Sequence, residues 1–291
     1  MSMFEKRELV LTAKMLRKNP LSIVGSIIVV AFLATAIVSA LGGSKVTPYD
    51  PFRINLDEMT QAPSKEHLFG TDQLGRDILS RLIFGVPEDL EIAVVIVAVS
   101  IFIGLLLGAV AGYHGRRIDE ILMRTTDLFF AFPTVVLALA VSMALGPGVV
   151  NLTIALIIVW WPVYARIARA ESISVTEKPY VEAARAAGLS SWQIIGTHVV
   201  PNIISPLLIY ATLDLGMVII YASVLSYLGL GVQPPYPEFG RMVYEGQTLL
   251  RCAWWVSIIP GVILFIVVVG FSLLGDALRD TLDPRMRKFI K

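Results

Sequence analysis

Residues 180–202 read YVEAARAAGLSSWQIIGTHVVPN, a polar and helix-forming stretch between two long apolar runs. Pro179 fits a first helical position, and the alanines that follow it are strong helix formers. Gly188 can end this helix in a left-handed turn. Ser190, with Gln193 three residues on, has the pattern of a capping box. The stretch therefore predicts two short helices joined at the glycine.

The helix pair is a candidate docking surface for another protein. Pro201 is predicted to stop the second helix just before the next apolar run. The small side chains of Ala183, Ala184 and their neighbours would let the backbone of a partner come close. An amphipathic connector between two membrane spans is the alternative interpretation.

The composition predicts a membrane protein. Hydrophobic residues make up 56% of the chain and charged residues 16%, whereas soluble domains carry about 25% charge. About 20 apolar residues in a helix cross a hydrocarbon core of roughly 30 Å, and backbone groups in lipid must be satisfied within the segment. We therefore expect an all-α membrane protein with six transmembrane helices. The apolar stretches are residues 21–41, 92–111, 128–145, 149–165, 203–230 and 254–274.

The stretches divide the chain into predicted regions. Mixed basic and apolar residues at the start predict an interfacial helix on the cytoplasmic leaflet. The predicted regions are residues 1–20 as this N-terminal segment, 21–41 as the first transmembrane helix, 42–87 as an extracytoplasmic segment, 88–275 as a five-helix core that contains the loop 171–202, and 276–291 as a cytoplasmic tail.

The positive charges predict the orientation. If both termini are cytoplasmic, 17 of the 24 Lys and Arg residues lie in inward segments. Most of the others lie in the long segment 42–87, and long segments cross a membrane largely regardless of charge. The loop 171–202 is therefore predicted to face the cytoplasm of a multi-pass protein of the cell membrane.

Several function classes lack support in the sequence. A net charge of +1 gives no footprint for nucleic acid. A single cysteine, Cys252, excludes an internal disulfide, and the three histidines show no metal-ligand spacing. The chain has no G-x-x-x-x-G-K-[ST], no G-x-S-x-G and no H-E-x-x-H. We expect no catalytic residues, no metal and no ATP on this chain.

A second charged motif, HLFGTDQLGRDILSRLIFG, spans residues 67–85. The pattern predicts a helix over residues 73–84, capped by Thr71 or Asp72. Its acids and arginines fall in pairs of opposite sign four residues apart. Such exposed pairs stabilise a helix by only about 0.3–0.5 kcal/mol each, so stability does not explain so many charges in one turn.

Both motifs resemble parts of a known family. Residues 180–202 resemble the EAA loop of permeases from ATP-binding-cassette importers. Residues 67–85 resemble the GTDxxGRDxxSR signature of the C-type subunit among permeases that import dipeptides, oligopeptides and nickel. Similar strings continue in order to about residue 287, namely AFPTVVLA at 131–138, LGPG at 145–148, LSYLGLGVQPPYPEFG at 225–240 and LLGDALRDTLDPR at 273–285.

The resemblance implies the type I importer permease fold, with the EAA loop as a cytoplasmic coupling helix pair. It implies a second homologous permease, two ATPase subunits that hold ATP and Mg, an extracellular substrate-binding protein and surrounding lipid as partners. Neither a cofactor on this chain nor a nucleic acid is implied. The matching coupling-loop residues are Tyr180, Glu182, Ala183, Ala184, Arg185, Gly188 and Pro201. The matching signature residues are Gly70, Thr71, Asp72, Gly75, Arg76, Asp77, Ser80 and Arg81.

Asp214 is the only acid well inside an apolar run. A charged carboxylate there costs roughly 3 kcal/mol or more unless it faces protein or water. It is a candidate for the translocation path, where it could meet a substrate amine. A hydrogen bond between helices, to Tyr210, to Tyr221 or to the partner subunit, is the alternative.

The leading hypothesis is a permease subunit of an ATP-driven importer. The family makes a short peptide the expected substrate and leaves nickel complexes and oligosaccharides open. An ion-coupled carrier that works without ATPase subunits is the second hypothesis. Such carriers show inverted repeats and several charges within the membrane, whereas this sequence has one such charge and no obvious repeat.

Overall fold

The computed structural model describes residues 19–282, which form helices joined by turns and by one long, mostly irregular segment, residues 43–77. Within that range the β-structure consists of one isolated antiparallel bridge, between Thr71 and Asp77. The helices are α1 Pro20–Gly42, α2 Ile78–His114, α3 Arg116–Phe130, α4 Thr134–Leu145, α5 Val149–Thr176, α6 Pro179–Ala186, α7 Ser191–Ile194, α8 Val200–Tyr227, α9 Phe239–Gly246 and α10 Trp255–Leu282.

Five helical segments of the described chain are long and apolar enough to cross a membrane: Pro20–Lys45, Ile78–His114, Val149–Thr176, Ser191–Tyr227 and Trp255–Asp280. A sixth crossing is formed if α3 and α4 count as one broken span, because they pass the same test together. The predicted all-α fold with six apolar spans is thus confirmed. The predicted interfacial helix at residues 1–20 and the end of the tail lie almost wholly outside the described residues.

The predicted third span is broken rather than straight. The apolar run 128–145 begins in the last turn of α3, and α4 bends away from α3 by 87°. Pro133 stands at the break. Its ring disfavours the helical conformation of Phe132, and it has no backbone N–H to continue the ladder. Proline therefore ends α3 and leaves α4 with only 12 residues.

The chain divides into two compact units. In the described range, the first contains residues 19–93, 146–152 and 212–282, and the second contains residues 94–145 and 153–211. In the first unit α1 packs closely on α10. A Cβ on Gly25 would lie 2.7 Å from the Cβ of Leu273, and one on Gly270 would lie 2.4 Å from Cγ2 of Ile28. Glycine at these crossings therefore lets the two helices approach.

The second unit contains a matching close approach between α2 and α5. Gly104, Gly108 and Gly112 recur every four residues along α2, a spacing that favours close helix packing in lipid. A Cβ on Gly108 would lie 2.4 Å from the carbonyl oxygen of Ala165, and one on Gly112 would lie 2.6 Å from Cβ of Ser172. These obstacles are largely backbone or Cβ atoms, which cannot rotate aside.

The substitution Gly108→Ala is therefore expected to destabilise the protein by about 1–3 kcal/mol, the usual cost of overpacking, although alanine has the better helix propensity. Thermal denaturation of the purified protein in detergent measures this. Gly196→Ala is the matched control, because a Cβ there meets no atom within 4 Å. Equal melting midpoints for the two variants would contradict the close approach.

Candidate functional site

The first half of the candidate coupling loop has the predicted helix. Pro179 is its first residue, and Glu182 lies in the first turn, where a negative charge favours the helix dipole. The helix ends at Ala186, and Gly188 follows in a left-handed conformation with a φ of +84°. The N–H of Leu189 donates to the carbonyl of Ala184 at 3.2 Å. This is the hydrogen bond of a Schellman motif, in which a glycine follows the end of the helix.

The second half opens with the predicted capping box. The backbone N–H of Ser190 donates to Oε1 of Gln193 at 2.9 Å, and the N–H of Gln193 donates to Oγ of Ser190 at 3.4 Å. These reciprocal bonds satisfy two donors that the start of α7 would otherwise leave without partners. The turn between the two helices is thus determined locally, by one glycine and one serine–glutamine pair.

The prediction that Pro201 stops the second helix is wrong. The chain continues from α7 through a π-helical turn, Ile195–Val199, directly into α8. The N–H of Val200 donates to the carbonyl of Ile195, five residues back. This π-helical turn immediately precedes Pro201. In a regular α-helix the proline ring would clash with the preceding turn and remove one backbone hydrogen bond, and the wider turn accommodates the proline. The coupling loop is therefore continuous with the span that follows it.

The helix pair buries one face and exposes the other. Val181 and Ala184 of α6 are buried, whereas Glu182, Ala183 and Arg185 are exposed. Ala184 therefore faces inward, so the exposed surface of small residues is carried by Ala183 and the alanines that follow Arg185. The side chain of Trp192 is also exposed, at 69% for the residue, and it was not among the residues predicted from the sequence.

Arg185 is held in place by an aromatic side chain of α2. Its guanidinium carbon lies 4.9 Å from the ring centre of Tyr113, and its Nε donates to the Tyr113 hydroxyl at 3.4 Å. The ring of Tyr180 stacks on His198 with 6.3 Å between ring centres. Among the predicted loop residues, all except Pro201 lie on α6 or its terminating turn.

Two salt bridges join α3 to α5 in the second unit. Arg169 forms a bidentate salt bridge to Asp119, in which Nε contacts Oδ1 and Nη2 lies 2.6 Å from Oδ2. Arg166 lies 2.5 Å from Asp127 and 4.1 Å from the ring centre of Phe130. Because α5 leads directly to α6, these bridges connect the broken span to the base of the candidate coupling loop.

The predicted helix over residues 73–84 forms only from residue 78 onward, and residues 73–77 are not helical. Residues 71–77 form a tight loop closed by the Thr71–Asp77 bridge, and α2 begins at Ile78. Gly70 and Gly75 have φ values of +75° and +71°, conformations that favour glycine. A Cβ on Gly75 would lie 1.7 Å from the carbonyl oxygen of Asn55. Contact with a preceding segment therefore overrides the helical pattern.

Four charged residues of this unit form what we call the ion cluster: Asp72, Arg76, Arg81 and Glu245. Oδ2 of Asp72 lies 2.7 Å from Nε of Arg76 and 2.5 Å from Nη1 of Arg81. Oε2 of Glu245 lies 3.1 Å from Nη2 of Arg76 and 2.8 Å from Nη1 of Arg81. Two carboxylates therefore alternate with two guanidinium groups around a closed ring of contacts.

The ion cluster is buried, in contrast to the exposed pairs that the spacing predicts. The side chains of Asp72 and Arg81 are each 1% exposed, and that of Glu245 is 8% exposed. Burial would raise the pKa of Glu245, but the charges and hydrogen bonds of Arg81 and Arg76, together with a hydrogen bond from Arg241, outweigh it and hold that pKa below its ordinary value. Glu245 is therefore ionised at neutral pH.

Asp77 has partners other than the predicted Arg81. Its Oδ1 lies 2.9 Å from Nδ1 of His67, and its Oδ2 accepts from the backbone N–H and the hydroxyl of Ser80 at 2.7 and 2.6 Å. The Ser80 hydroxyl in turn accepts from the N–H of Tyr49 at 3.0 Å. Five of the eight signature residues thus belong to two networks: Asp72, Arg76 and Arg81 to the ion cluster, and Asp77 and Ser80 to the network of His67. Gly70, Thr71 and Gly75 shape the loop that carries them.

Asp214 lies in α8, half-buried, in the part of that helix assigned to the first unit. Among the described residues, no group of three or more His, Cys, Asp or Glu side chains could hold a metal ion. The candidate sites for binding a partner or a ligand are the helix pair of residues 179–199 and the ion cluster.

Comparison with known proteins agrees with this fold. Residues 104–288 match the family described as the binding-protein-dependent transport system inner membrane component. In the solved structure of the MetNI methionine ABC transporter in inward-facing conformations, one chain superposes with a TM-score of 0.54 at 22% identity. The match covers 69% of this chain and 95% of that one, and at this identity it shows a shared fold.

Curated relatives extend over nearly the whole chain. The dipeptide transport system permease protein DppC of Alkalihalophilus pseudofirmus is 40% identical over 94% of this chain and 89% of its own length. The probable D,D-dipeptide transport system permease protein DdpC of Escherichia coli K12 is 38% identical over 93% and 90%. The chain belongs to the family of inner membrane components of binding-protein-dependent transport systems.

Proposed function

We propose that this chain is one permease subunit of an ATP-driven importer of di- and oligopeptides. A second homologous permease would complete the translocation path, two ATPase subunits would supply energy, and an extracellular binding protein would deliver the substrate. The observation that carries the proposal is the exposed helix pair of residues 179–199 in a chain 40% identical to a dipeptide permease. The names of other relatives, including a glutathione permease, agree with peptide substrates.

The helix pair is suited to transmit force between subunits. Its turn is fixed by a glycine and a capping box, one face is buried, and it runs without a break into α8. A displacement applied to α7 would therefore reach a membrane span through continuous helix, and one applied to α6 would pass first through the turn at Gly188. Coupling of this kind needs a two-state element that is biased from one side of the membrane.

ATP and Mg are assigned to the partner ATPase subunits, since this sequence carries no phosphate-binding glycine loop. Both termini and the loop 171–202 are assigned to the cytoplasm on the distribution of positive charge. Nickel complexes and oligosaccharides remain alternative substrates, because the resembled family includes permeases for them.

Reconstitution tests the proposal. Co-isolation of this chain with ATPase subunits, followed by uptake of dipeptide into vesicles that requires ATP and the binding protein, is the expected result. The competing carrier hypothesis rests on the single carboxylate of Asp214 within an apolar run, where such carriers show several charges. Uptake by this chain alone, driven by an ion gradient without ATP, would support that alternative and contradict the importer.

Asp214 is proposed to line the path. The substitution Asp214→Asn keeps the size of the side chain and one acceptor oxygen but removes its charge. We therefore expect uptake of cationic peptides to fall by about tenfold relative to neutral peptides, corresponding to roughly 1.4 kcal/mol of lost charge interaction. Competition between lysine-containing and alanine-containing dipeptides in the reconstituted transporter measures the ratio. An equal loss for both would remove Asp214 from the path.

A further inference from the structure

A polar cavity of about 340 Å³ opens beside the ion cluster, in the first unit. Its size lies near the lower end of small-ligand pockets, which hold roughly 300–1,000 Å³. One wall comes from the signature loop and the other from α9 and the turns on either side of it. Its polar lining comprises Gln73, Arg76, Arg241, Tyr244, Glu245, Gln247 and Thr248.

Positive charge exceeds negative charge around this cavity. Arg76 and Arg81 are matched by the two carboxylates of the ion cluster, and Arg241 is a third guanidinium group. Among the described residues, the Arg241 side chain forms one hydrogen bond, from Nε to Oε1 of Glu245 at 3.3 Å. In the described part of the chain its two terminal nitrogens make no hydrogen bond. They can therefore form the paired bonds with which arginine binds a carboxylate.

An acceptor without a partner lies at the same cavity. Oε1 of Gln73 is buried and has no hydrogen-bond partner among the described residues. A buried acceptor left in this state costs free energy that a donor from a ligand would recover. Gln247, whose Oε1 accepts from the Tyr227 hydroxyl at 2.7 Å, still has its amide N–H groups to donate. The cavity thus combines a cationic group with both a donor and an acceptor.

We infer that this cavity binds the carboxylate of the transported peptide, through the terminal nitrogens of Arg241, and that Oε1 of Gln73 accepts from a peptide N–H. The inference rests on the proposed import of short peptides. The volume of the open cavity and its amide groups favour a small peptide over a single acidic side chain of a docked protein. The ion cluster behind the cavity holds Arg76 and Glu245 in place, so the site is formed before a ligand arrives.

The test is binding to the purified transporter complex without its binding protein. Saturation-transfer NMR compares dialanine with dialanine amide, which has the same shape but no carboxylate. For the wild-type complex we expect a signal from dialanine at least about fivefold stronger than that from the amide. The substitution Arg241→Gln should reduce the dialanine signal to the level of the amide, and Arg241→Lys, which keeps the charge but cannot form the paired bonds, should give an intermediate signal.

The controls separate the alternatives. Arg251→Gln removes an exposed arginine that does not line the cavity, and it should leave the dialanine signal unchanged. Equal signals from dialanine and its amide in the wild type, or a dialanine signal that survives Arg241→Gln, would overturn the inference. A loss of affinity for the binding protein in Arg241→Gln, with the dialanine signal intact, would also overturn it and assign the cavity to docking. Vesicle uptake tests the proposed function separately, because peptide transport can succeed or fail whatever the NMR result.

Discussion

Replacing Arg81 with methionine is expected to destabilise the protein by about 3–5 kcal/mol, the range for removing one partner of a buried ion pair. Methionine keeps most of the side-chain volume, so the effect arises from charge and not from a cavity. Asp72 and Glu245 would each lose a contact, at 2.5 and 2.8 Å respectively, which leaves Arg76 between them and Arg241 as a further partner of Glu245. The thermal denaturation midpoint in detergent and the yield of folded protein in the membrane should both fall.

Arg124→Gln is the control for this prediction. Arg124 and Glu120 form an exposed pair at 3.9 Å, with side chains 77% and 68% exposed. Solvent screens such a pair, so its loss should change stability by no more than roughly 0.5 kcal/mol. An Arg81→Met variant as stable as Arg124→Gln would contradict a buried ion cluster. It would support the interpretation from spacing, in which these charged residues form exposed pairs.

The substitutions with the largest effect on transport are expected in the coupling loop. Glu182→Lys reverses an exposed charge in the first turn of α6, and Gly188→Val places a branched residue at a φ of +84°. The first would repel a basic site on the ATPase, and the second would displace the turn. A loss of 2–5 kcal/mol at an interface lowers affinity by more than about tenfold, so the purified complex should lack its ATPase subunits.

Glu120→Lys serves as the matched charge reversal, since Glu120 is exposed on α3 and lies outside the loop. It should leave the ATPase subunits bound. Among residues 19–282, no atom lies within 4 Å of a Cβ at position 188, so Gly188→Val should still insert into the membrane. If both loop variants retain the ATPase subunits at normal stoichiometry and transport at the normal rate, the loop is not the docking surface.

Features determined by neighbouring residues could be predicted from the sequence. The start of α6 at Pro179, the left-handed turn at Gly188 and the capping box of Ser190 with Gln193 depend on residues within a few positions of one another. The apolar spans were equally predictable, because lipid requires a minimum length of uninterrupted helix.

Features determined by distant residues could not be predicted. Residues 73–77 have a helical pattern, but the contact of Gly75 with Asn55 forces a loop. The ion cluster needs Glu245, which is 164 residues from Arg81 in sequence, and nothing near the signature motif identifies that partner. The continuation of helix past Pro201 depends on a π-helical turn, and the sequence pattern alone does not predict where such a turn is inserted.

Site-directed labelling tests the central claim, that the helix pair of residues 179–199 faces the cytoplasm where an ATPase can reach it. The substitution Ala183→Cys in a Cys252→Ser background places one thiol on the exposed face of α6. A membrane-impermeant maleimide should leave it unmodified in right-side-out spheroplasts and modify it after permeabilisation. The native Cys252, which is exposed and predicted to lie outside, should be modified in intact spheroplasts. Modification at position 183 before permeabilisation would contradict the account.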